Sequence, residues 1–434
     1  MSMIKVEHDK RFSEETLTSE MRKGYSQYAK LTWNSISAMM CPETGLPSDH
    51  LHYPRAGEGL ISEPNRVDKT NLTDIGFSLA CAGAAASMGF IQPSEARQRI
   101  DQTLTTLEQM TTDLELFIPT TSGKGLLANW ITPSTGKVLK EWPGSISAVK
   151  KHVSTVDMAW LMAFSKMTGA QFPQFNKRIQ SYLNKIDLAF MFDPESGFFH
   201  GCYNLETQEF EDWEYKVISE ARIAYLVGDQ EMAEAMSKMI GHRTEQSYVC
   251  DSYGRQSRAT YVGAFFEMGW PSLLIPEDEL NPSWADMMQT TIQMQKDYGA
   301  THSCGHYGFS PGLGPDDQYH IYRVPDAGES RDKYIEPTGV ITVAALVNMG
   351  LREPVETYRA LARLHKEFPA LVNPNYGDGD TVDTKTGNVQ IDQLMHNQAA
   401  ILLTCWNVVN HHEPQDIFMQ ASPDIAGIYQ RYQL

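Results

Sequence analysis

One pattern runs along almost the whole chain: an amphipathic stretch at period 3.6, a glycine, a few residues, then a new helix start. The stretches fall at roughly 13–40, 71–89, 93–115, 151–169, 173–189, 213–228, 229–240, 257–270, 283–299, 334–347, 351–368 and 390–407. They are joined as tight pairs by SMGFIQPSEA, KMTGAQFPQF and VNMGLREPVE. Gly89 closes one helix before Pro93-Ser94-Glu95 opens the next, and Gly350 with Pro354 repeats the arrangement. Sustained strand alternation is scarce. Four longer connections, CPETGLPSD, TPSTGKVLK, FDPESGFFHG and DTKTGNVQ, share a Thr/Ser-Gly turn, as equivalent loops of a repeated unit would. About twelve helices in antiparallel pairs predict an all-α fold, a closed (α/α)6 barrel with six inner and six outer helices. A helical solenoid is the competing architecture. No linker divides residues 1–434, so a single domain is expected, with 1–12 as a flexible N-terminus. Function is expected in the loops at one mouth of the barrel.

Charge narrows the partners. With 36 Lys and Arg against 54 Asp and Glu, the net charge is −18, which argues against nucleic acid and anionic membrane surfaces. The start, MSMIKVEHDKRFSEE, has no apolar core of a signal peptide, and no run of eighteen apolar residues occurs. The reading is cytoplasmic, and the six scattered cysteines, without a CxxC, read as reduced thiols. Oligomeric state is left open.

Cofactor chemistry finds little support. His302, Cys304 and His306 alternate in THSCGHYGF, but no third and fourth metal ligand is visible, and loop hydrogen bonding explains them equally. PGLGPDD lacks the order of a phosphate loop, and there is no GxSxG elbow. No metal and no cofactor is expected.

Carboxylates among aromatics remain. Asp74 in TNLTDIG and Asp157 in HVSTVDMAWL sit near helix starts, where a capping or first-turn acid is ordinary. Glu267 lies between Phe265, Phe266 and Trp270, a costly place for an unpaired carboxylate. Asp392 stands near the start of the final helix beside Gln390, Gln393 and Asn397. The awkward residue is Glu220 in WEYKVISEARIAYLVGD: its helix face carries Val217, Ile223, Ala224 and Val227 and should be buried. It is either paired with a base such as Arg222 or kept for chemistry. Glycosidic hydrolysis needs one protonated carboxylic acid and one ionised carboxylate, and an apolar helix face raises a carboxyl pKa. Glu220 suits the acid and Asp392, in a more polar setting, the base. Trp142, Trp160 and Trp270 are candidate platforms for sugar faces.

STVDMAWL, TNLTDIGFSLACAGAAASMGFI, VISEARIAYLVGD, FFEMGWP, HYGFSPG, YIEPTGVITVAALV and NPNYGDGDTVD…VQIDQ resemble, in that order, segments of the glucoamylase-like helical barrels. That group includes bacterial endo-β-1,2-glucanases and domains of cyclic β-1,2-glucan synthases. The resemblance covers about residues 20 to 410. It implies an (α/α)6 barrel and inverting cleavage of β-1,2-linked glucans, with Glu220 as catalytic acid and Asp392 relaying a proton to the attacking water. It also implies that Asp157 and Glu267 shape sugar subsites; Asp74, Trp142, Trp160, Trp270, His306, Tyr307 and Tyr376 complete the expected substrate-binding residues. Two departures shift that pattern: the family's DNGW reads Asp157-Met158-Ala159-Trp160, and its FEYLMP reads FEMGWP. The expected partner is therefore a short β-linked gluco-oligosaccharide of unspecified linkage. A transglycosylase, phosphorylase or epimerase on the same barrel is the second reading; an epimerase would recruit a His among His152, His302, His306 and His396. A silent carbohydrate-binding protein is the third.

Overall fold

Capping residues open several of the helices that the pattern predicts. In a computed structural model of the chain, which describes residues 16–56, 60–61, 63–241, 248–250, 256–330 and 339–431, Asn71 accepts from the Asp74 amide at the head of α2 (Leu72–Ser87). Ser154 does the same for Asp157 at the head of α4 (Thr155–Gln171), and Pro93 takes the first position of α3 (Pro93–Met110). Before these comes α1 (Ser19–Met39), started by Thr18. The chain continues with α5 (Asn176–Leu183), α6 (Arg222–Val227), α7 (Gln230–Gly241), α8 (Phe266–Gly269), α9 (Glu277–Leu280) and α10 (Pro282–His302). It ends with α11 (Val343–Asn348), α12 (Pro354–Glu367), α13 (Met395–Val409), α14 (Glu413–Ala421) and α15 (Ile425–Gln430). The expected flexible segment 1–12 lies outside the described residues, as does part of the stretch 334–347.

Two kinds of helix alternate. In α2, 14 of 16 residues are buried, and in α13, 13 of 15, so both are apolar all round and belong to the interior. By contrast α3 buries a single face, Ala96, Ile100, Thr103, Leu104, Leu107 and Met110, and α12 does likewise. The interior helices touch one another in a circuit: α2 on α4, α4 on α6, α8 on α11, α11 on α13, and α13 back on α2. Arg222 joins α6 to α8 by donating to the Glu267 and Met268 carbonyls. The α2–α4 contact is close because Gly76 has no side chain; a Cβ there would lie 2.9 Å from the Leu161 Cα. One buried cluster extends from Tyr25 to Tyr429. Among the described residues no helix is long and apolar enough to cross a membrane.

The architecture is mainly helical, but not free of strands as expected. Short antiparallel ladders of two or three strands fill the connections. Three of them lie at the N-terminal ends of interior helices. His152–Ser154 pairs with Cys202–Asn204 just before α4, Val340–Thr342 with Thr381–Asp383 before α11, and Gln393–Leu394 with His50–Leu51 before α13. They tie neighbouring loops together at one end of the interior helices, where the candidate residues gather.

The helix expected at 213–228 is the largest error. It shrinks to Arg222–Val227 because the preceding residues are spent on pairing: the Gly201 amide donates to the Trp213 carbonyl, the Tyr215 amide to Phe199, and Ile218 bridges to Thr260. The helix expected at 257–270 likewise reduces to Phe266–Gly269, and 390–394 is extended rather than helical. Two helices after residue 410, α14 and α15, carry no counterpart among the twelve stretches.

Candidate active site

Four acidic residues mark the N-terminal ends of successive interior helices. Asp74 lies in the first turn of α2, Asp157 in that of α4, and Glu267 in that of α8. Glu220 sits in the turn directly before α6, and His396 is the second residue of α13. These groups feel one another around the circuit: His396 acts on Asp74, Asp157 on both Asp74 and Glu220, and Glu267 on Glu220. A helix N-terminus favours an acid through its dipole. Here the acids are too close and too buried for all to ionise freely.

Glu220 is half-buried in a turn, not on the buried face of a helix as its spacing suggests. Burial, and then the Glu267 carboxyl, push its pKa up to about 8 against pulls from its own amide and from Arg222, with a last small push from Asp157. Arg222 does not pair with it. Fully buried, Arg222 donates Nε and Nη2 to Glu277 at 2.6 and 2.7 Å, and Nη1 to the carbonyls of Ser219 and Glu267. Its guanidinium lies 5.1 Å from the Trp284 ring, and Tyr429 and Ser272 also donate to Glu277. Among the described residues no other residue hydrogen-bonds to the Glu220 carboxyl or forms an ion pair with it.

Glu267 has the opposite surroundings. Its Oε2 accepts from the Thr260 hydroxyl at 2.7 Å and from the amides of Val262, Gly263 and Ala264 at 3.1, 2.9 and 3.1 Å. Burial pushes its pKa up to about 7, while these donors pull back toward the charged form. With its oxygens spent on one turn of backbone and 1% exposure, Glu267 anchors that turn and offers nothing to a sugar, contrary to the sequence expectation. Of two adjacent carboxyls, the one caged by amides keeps the negative charge and the other keeps the proton.

Asp74 is fully buried. Asn71 donates to its Oδ2 at 2.9 Å, and His396 faces its Oδ1 at 3.5 Å. Burial, opposed by His396 and reinforced by Asp49 and Asp157, pushes its pKa up to about 7. For His396, burial opposes the charge, but Asp74, Asp49 and Asp380 outweigh it and the pKa rises. Asp157 is half-buried and accepts from Thr73 Oγ1 at 2.5 Å. Trp270 packs edge-on to Phe77, Trp160 and Phe266, with its ring 5.6 Å from His396.

Asp392 lies three residues before α13, in the extended link that leads into that helix. It accepts from the Tyr53 amide at 2.9 Å and faces His52 Nδ1 at 2.8 Å; that His is half exposed. Tyr376 packs beside the same place, its ring 6.5 Å from that of Tyr53. The Asp392 carbonyl accepts from the Asp380 amide, which connects it to the mouth.

Three residues leave the site. Trp160 is 1% exposed and stacks on Phe77 and Phe164, so it has no free face for a sugar. His306 and Tyr307 are buried against α12 instead: His306 meets Glu367 at 2.8 Å, and the Tyr307 phenol is pushed up by burial and then by Glu356 and Glu353. Of the other residues in that motif, His302 stacks on Tyr298. Trp142 is half-buried, edge-on to Trp130, with Lys69 Nζ 5.6 Å from both rings.

Four participants went unnoticed in the sequence. Lys69 also reaches Asp49 at 3.2 Å, and Asp49, buried, is held far below the usual carboxylate range by His50 and Lys69 despite its burial. Asp380, buried, accepts from the Leu313 amide at 2.6 Å and Asn397 Nδ2 at 2.8 Å, and burial still pushes its pKa up to about 6. Tyr319 is 54% exposed, with its ring 6.5 Å from that of His396. It thus overhangs the acids. Asp380 sat inside the GDGD of a quoted motif, whereas Tyr319, in a polar hairpin, carried no signal.

A family model described as "Protein of unknown function (DUF3131)" matches residues 27–260. No curated protein matches the sequence. Among solved structures, a candidate glucoamylase from Bacteroides uniformis is similar with a TM-score of 0.73 at 14% identity, over 96% of this chain and 98% of that one. The endo-β-1,2-glucanase of Chitinophaga pinensis, in complex with sophorotriose and glucose, is similar with a TM-score of 0.67 at 12% identity, over 96% and 98%. A D-mannose isomerase is similar with a TM-score of 0.54 at 10% identity, over 92% and 100%. The likeness is one of fold.

Proposed function

The chain belongs to the DUF3131 family, whose function is unknown, and from that premise and the geometry of its acidic mouth we propose an inverting glycoside hydrolase acting on β-linked gluco-oligosaccharides. The single observation behind this is Glu220: a half-buried carboxyl with its pKa raised to about 8, no side-chain partner among the described residues, and an amide-caged carboxylate beside it. Such a group keeps its proton at neutral pH and can give it to a leaving glycosidic oxygen. Closure of the interior helices supports reading the fold as one (α/α)6 barrel spanning 1–434, with the site in its N-terminal mouth.

In this reading Glu220 is the general acid. Asp392, held by Tyr53 and faced by His52, takes a proton from the attacking water on the other side of the sugar, directly at about 6.5–9.5 Å or through a substrate hydroxyl. Asp157, Trp270, Trp142 and Tyr376 are the expected residues that remain as sugar contacts, with Tyr319 added. The ligand of the Chitinophaga enzyme favours β-1,2-linked glucose chains as the first substrates to try. Cleavage of gluco-oligosaccharides of defined linkage, with the first-formed anomer read by NMR, tests the proposal. Release of the inverted anomer supports it, and absence of any cleavage across β-linkages removes it.

His396 favours one second reading. It is half-buried among Asp74, Asp49 and Asp380, its ring tilted against Trp270 at 5.6 Å, where an imidazole could shuttle a proton at a sugar carbon. That makes an isomerase or epimerase the alternative, detected as interconversion of a reducing monosaccharide without bond cleavage.

A further inference from the structure

Five large apolar side chains stand out as exposed among the described residues: Leu114, Ile146, Phe210, Trp213 and Tyr319. Phe210 is already stacked on His200, 4.0 Å away and nearly parallel. Trp213 differs from the rest because it is both open, at 38%, and held. Its indole lies directly on Gly201, where a Cβ would sit 2.0 Å from the ring, and the Gly201 amide donates to the Trp213 carbonyl at 3.1 Å. Indole Nε1 donates to Glu211 at 3.1 Å, and Glu211 is fixed in turn by Lys150. An exposed tryptophan normally gains little from being fixed on a protein surface; here a glycine and an ion pair fix it.

Its neighbour leads to the catalytic mouth. Tyr215 meets Trp213 edge-on, with ring centres 5.0 Å apart. Beneath the indole, the Gly201 carbonyl accepts from the Thr155 amide at 3.1 Å at the head of α4, two residues before Asp157. Trp213 therefore stands where its loop meets the head of α4, on the segment that leads through Tyr215 to Glu220.

We propose that Trp213 is the platform of an outer sugar subsite, stacking on the apolar face of a glucose ring bound beyond the residue next to Glu220, with Tyr215 as the step between. The idea rests on the glycan reading above. A pyranose presents axial C–H bonds on one face and hydroxyls at its rim. A preset aromatic plane flanked by polar side chains complements both, without the entropy cost of ordering a loose side chain. The subsite implies a substrate of several sugar units rather than a disaccharide.

The test uses the intact protein and its Trp213→Ala and Trp213→Phe variants with a ladder of gluco-oligosaccharides of the cleaved linkage. Both cleavage and calorimetric binding are measured, and thermal melting checks folding. For the longer members the alanine variant should lose about 3- to 10-fold in affinity and in kcat/KM through KM, as expected for one aromatic contact, while the shortest substrate is unaffected. Phenylalanine should restore most of the loss. An equal loss at every length, or none at any length, overturns the subsite while leaving hydrolysis standing. If the wild type binds the ladder but cleaves none of it, the hydrolase reading fails and the binding series alone judges Trp213. If it neither binds nor cleaves, both fall.

Discussion

Arg222 donates to both oxygens of Glu277, at 2.6 and 2.7 Å, and this buried pair turns the cation away from Glu220, two residues earlier in the chain. Glu220 is not half of a structural ion pair with its nearest base. The same Arg holds the carbonyls of Ser219, Glu267 and Met268, so it fixes the turn bearing Glu220 against the helix bearing Glu267.

Replacing Arg222 by alanine leaves the Glu277 carboxylate buried with only Tyr429 and Ser272 as donors. Removing one partner of a buried pair costs about 3–5 kcal/mol, so urea denaturation should show a loss of that order. Replacing both residues, Arg222→Met with Glu277→Leu, should recover part of the stability. A double variant no more stable than the single one would contradict the pairing argument.

Glu220 links stability to pH. Its folded pKa of about 8 lies above the ordinary 4.5. The folded state therefore binds more protons between these values. The stabilising contribution is complete below 4.5 and is lost as pH rises through about 8. Glu220→Gln removes the ionisation, so its melting temperature relative to wild type should rise by about one degree, about 1 kcal/mol, at pH 9 and show no such gain at pH 4. In the wild type, kcat should fall along an alkaline limb as Glu220 deprotonates. A gain largest at acid pH would reverse the assignment.

Two tryptophans from neighbouring places in the sequence reading should now behave differently. Trp160→Ala removes a 1%-exposed ring from the interior and should cost about 3–5 kcal/mol. Trp270, half-buried beside His396, should when replaced raise KM for oligosaccharide with a smaller stability loss. Melting curves and Michaelis parameters for the two variants separate them.

Asp392→Asn should lower kcat by about 10²–10⁴-fold if Asp392 activates water, with folding retained because Tyr53 and His52 keep a polar partner. Added azide, which needs no base, should restore turnover. Near-normal activity in this variant would move the base to another acid of the mouth, with Asp380 and Asp157 the next to replace.

The helix starts were legible because capping is local: Asn71, Ser154 and Pro93 each mark a boundary within a residue or two. The gathering of Asp74, Asp157, Glu220 and Glu267 was legible only as a shared relation to helix starts. Their spacing around a circuit of helices is tertiary. The turn at Glu220 misled because ISEARIAYLV keeps helical spacing through residues that the strand-like pairing of Trp213–Ile218 pulls out of the helix. Trp160 misled because α4 is apolar on all sides, so no periodicity shows which face looks inward. Tyr319 and Lys69 depend on hairpins whose packing no local pattern encodes.

The central claim is that Glu220 donates a proton to a leaving sugar oxygen, and leaving groups of different basicity test it most directly. The rate of Glu220→Gln relative to wild type is to be measured on a natural gluco-oligosaccharide and on the matching β-glycosyl fluoride, whose leaving group needs far less protonation. The account predicts a loss of about 10³-fold or more on the oligosaccharide and less than about tenfold on the fluoride. Equal losses on the two substrates, or near-normal cleavage of the oligosaccharide, would contradict it.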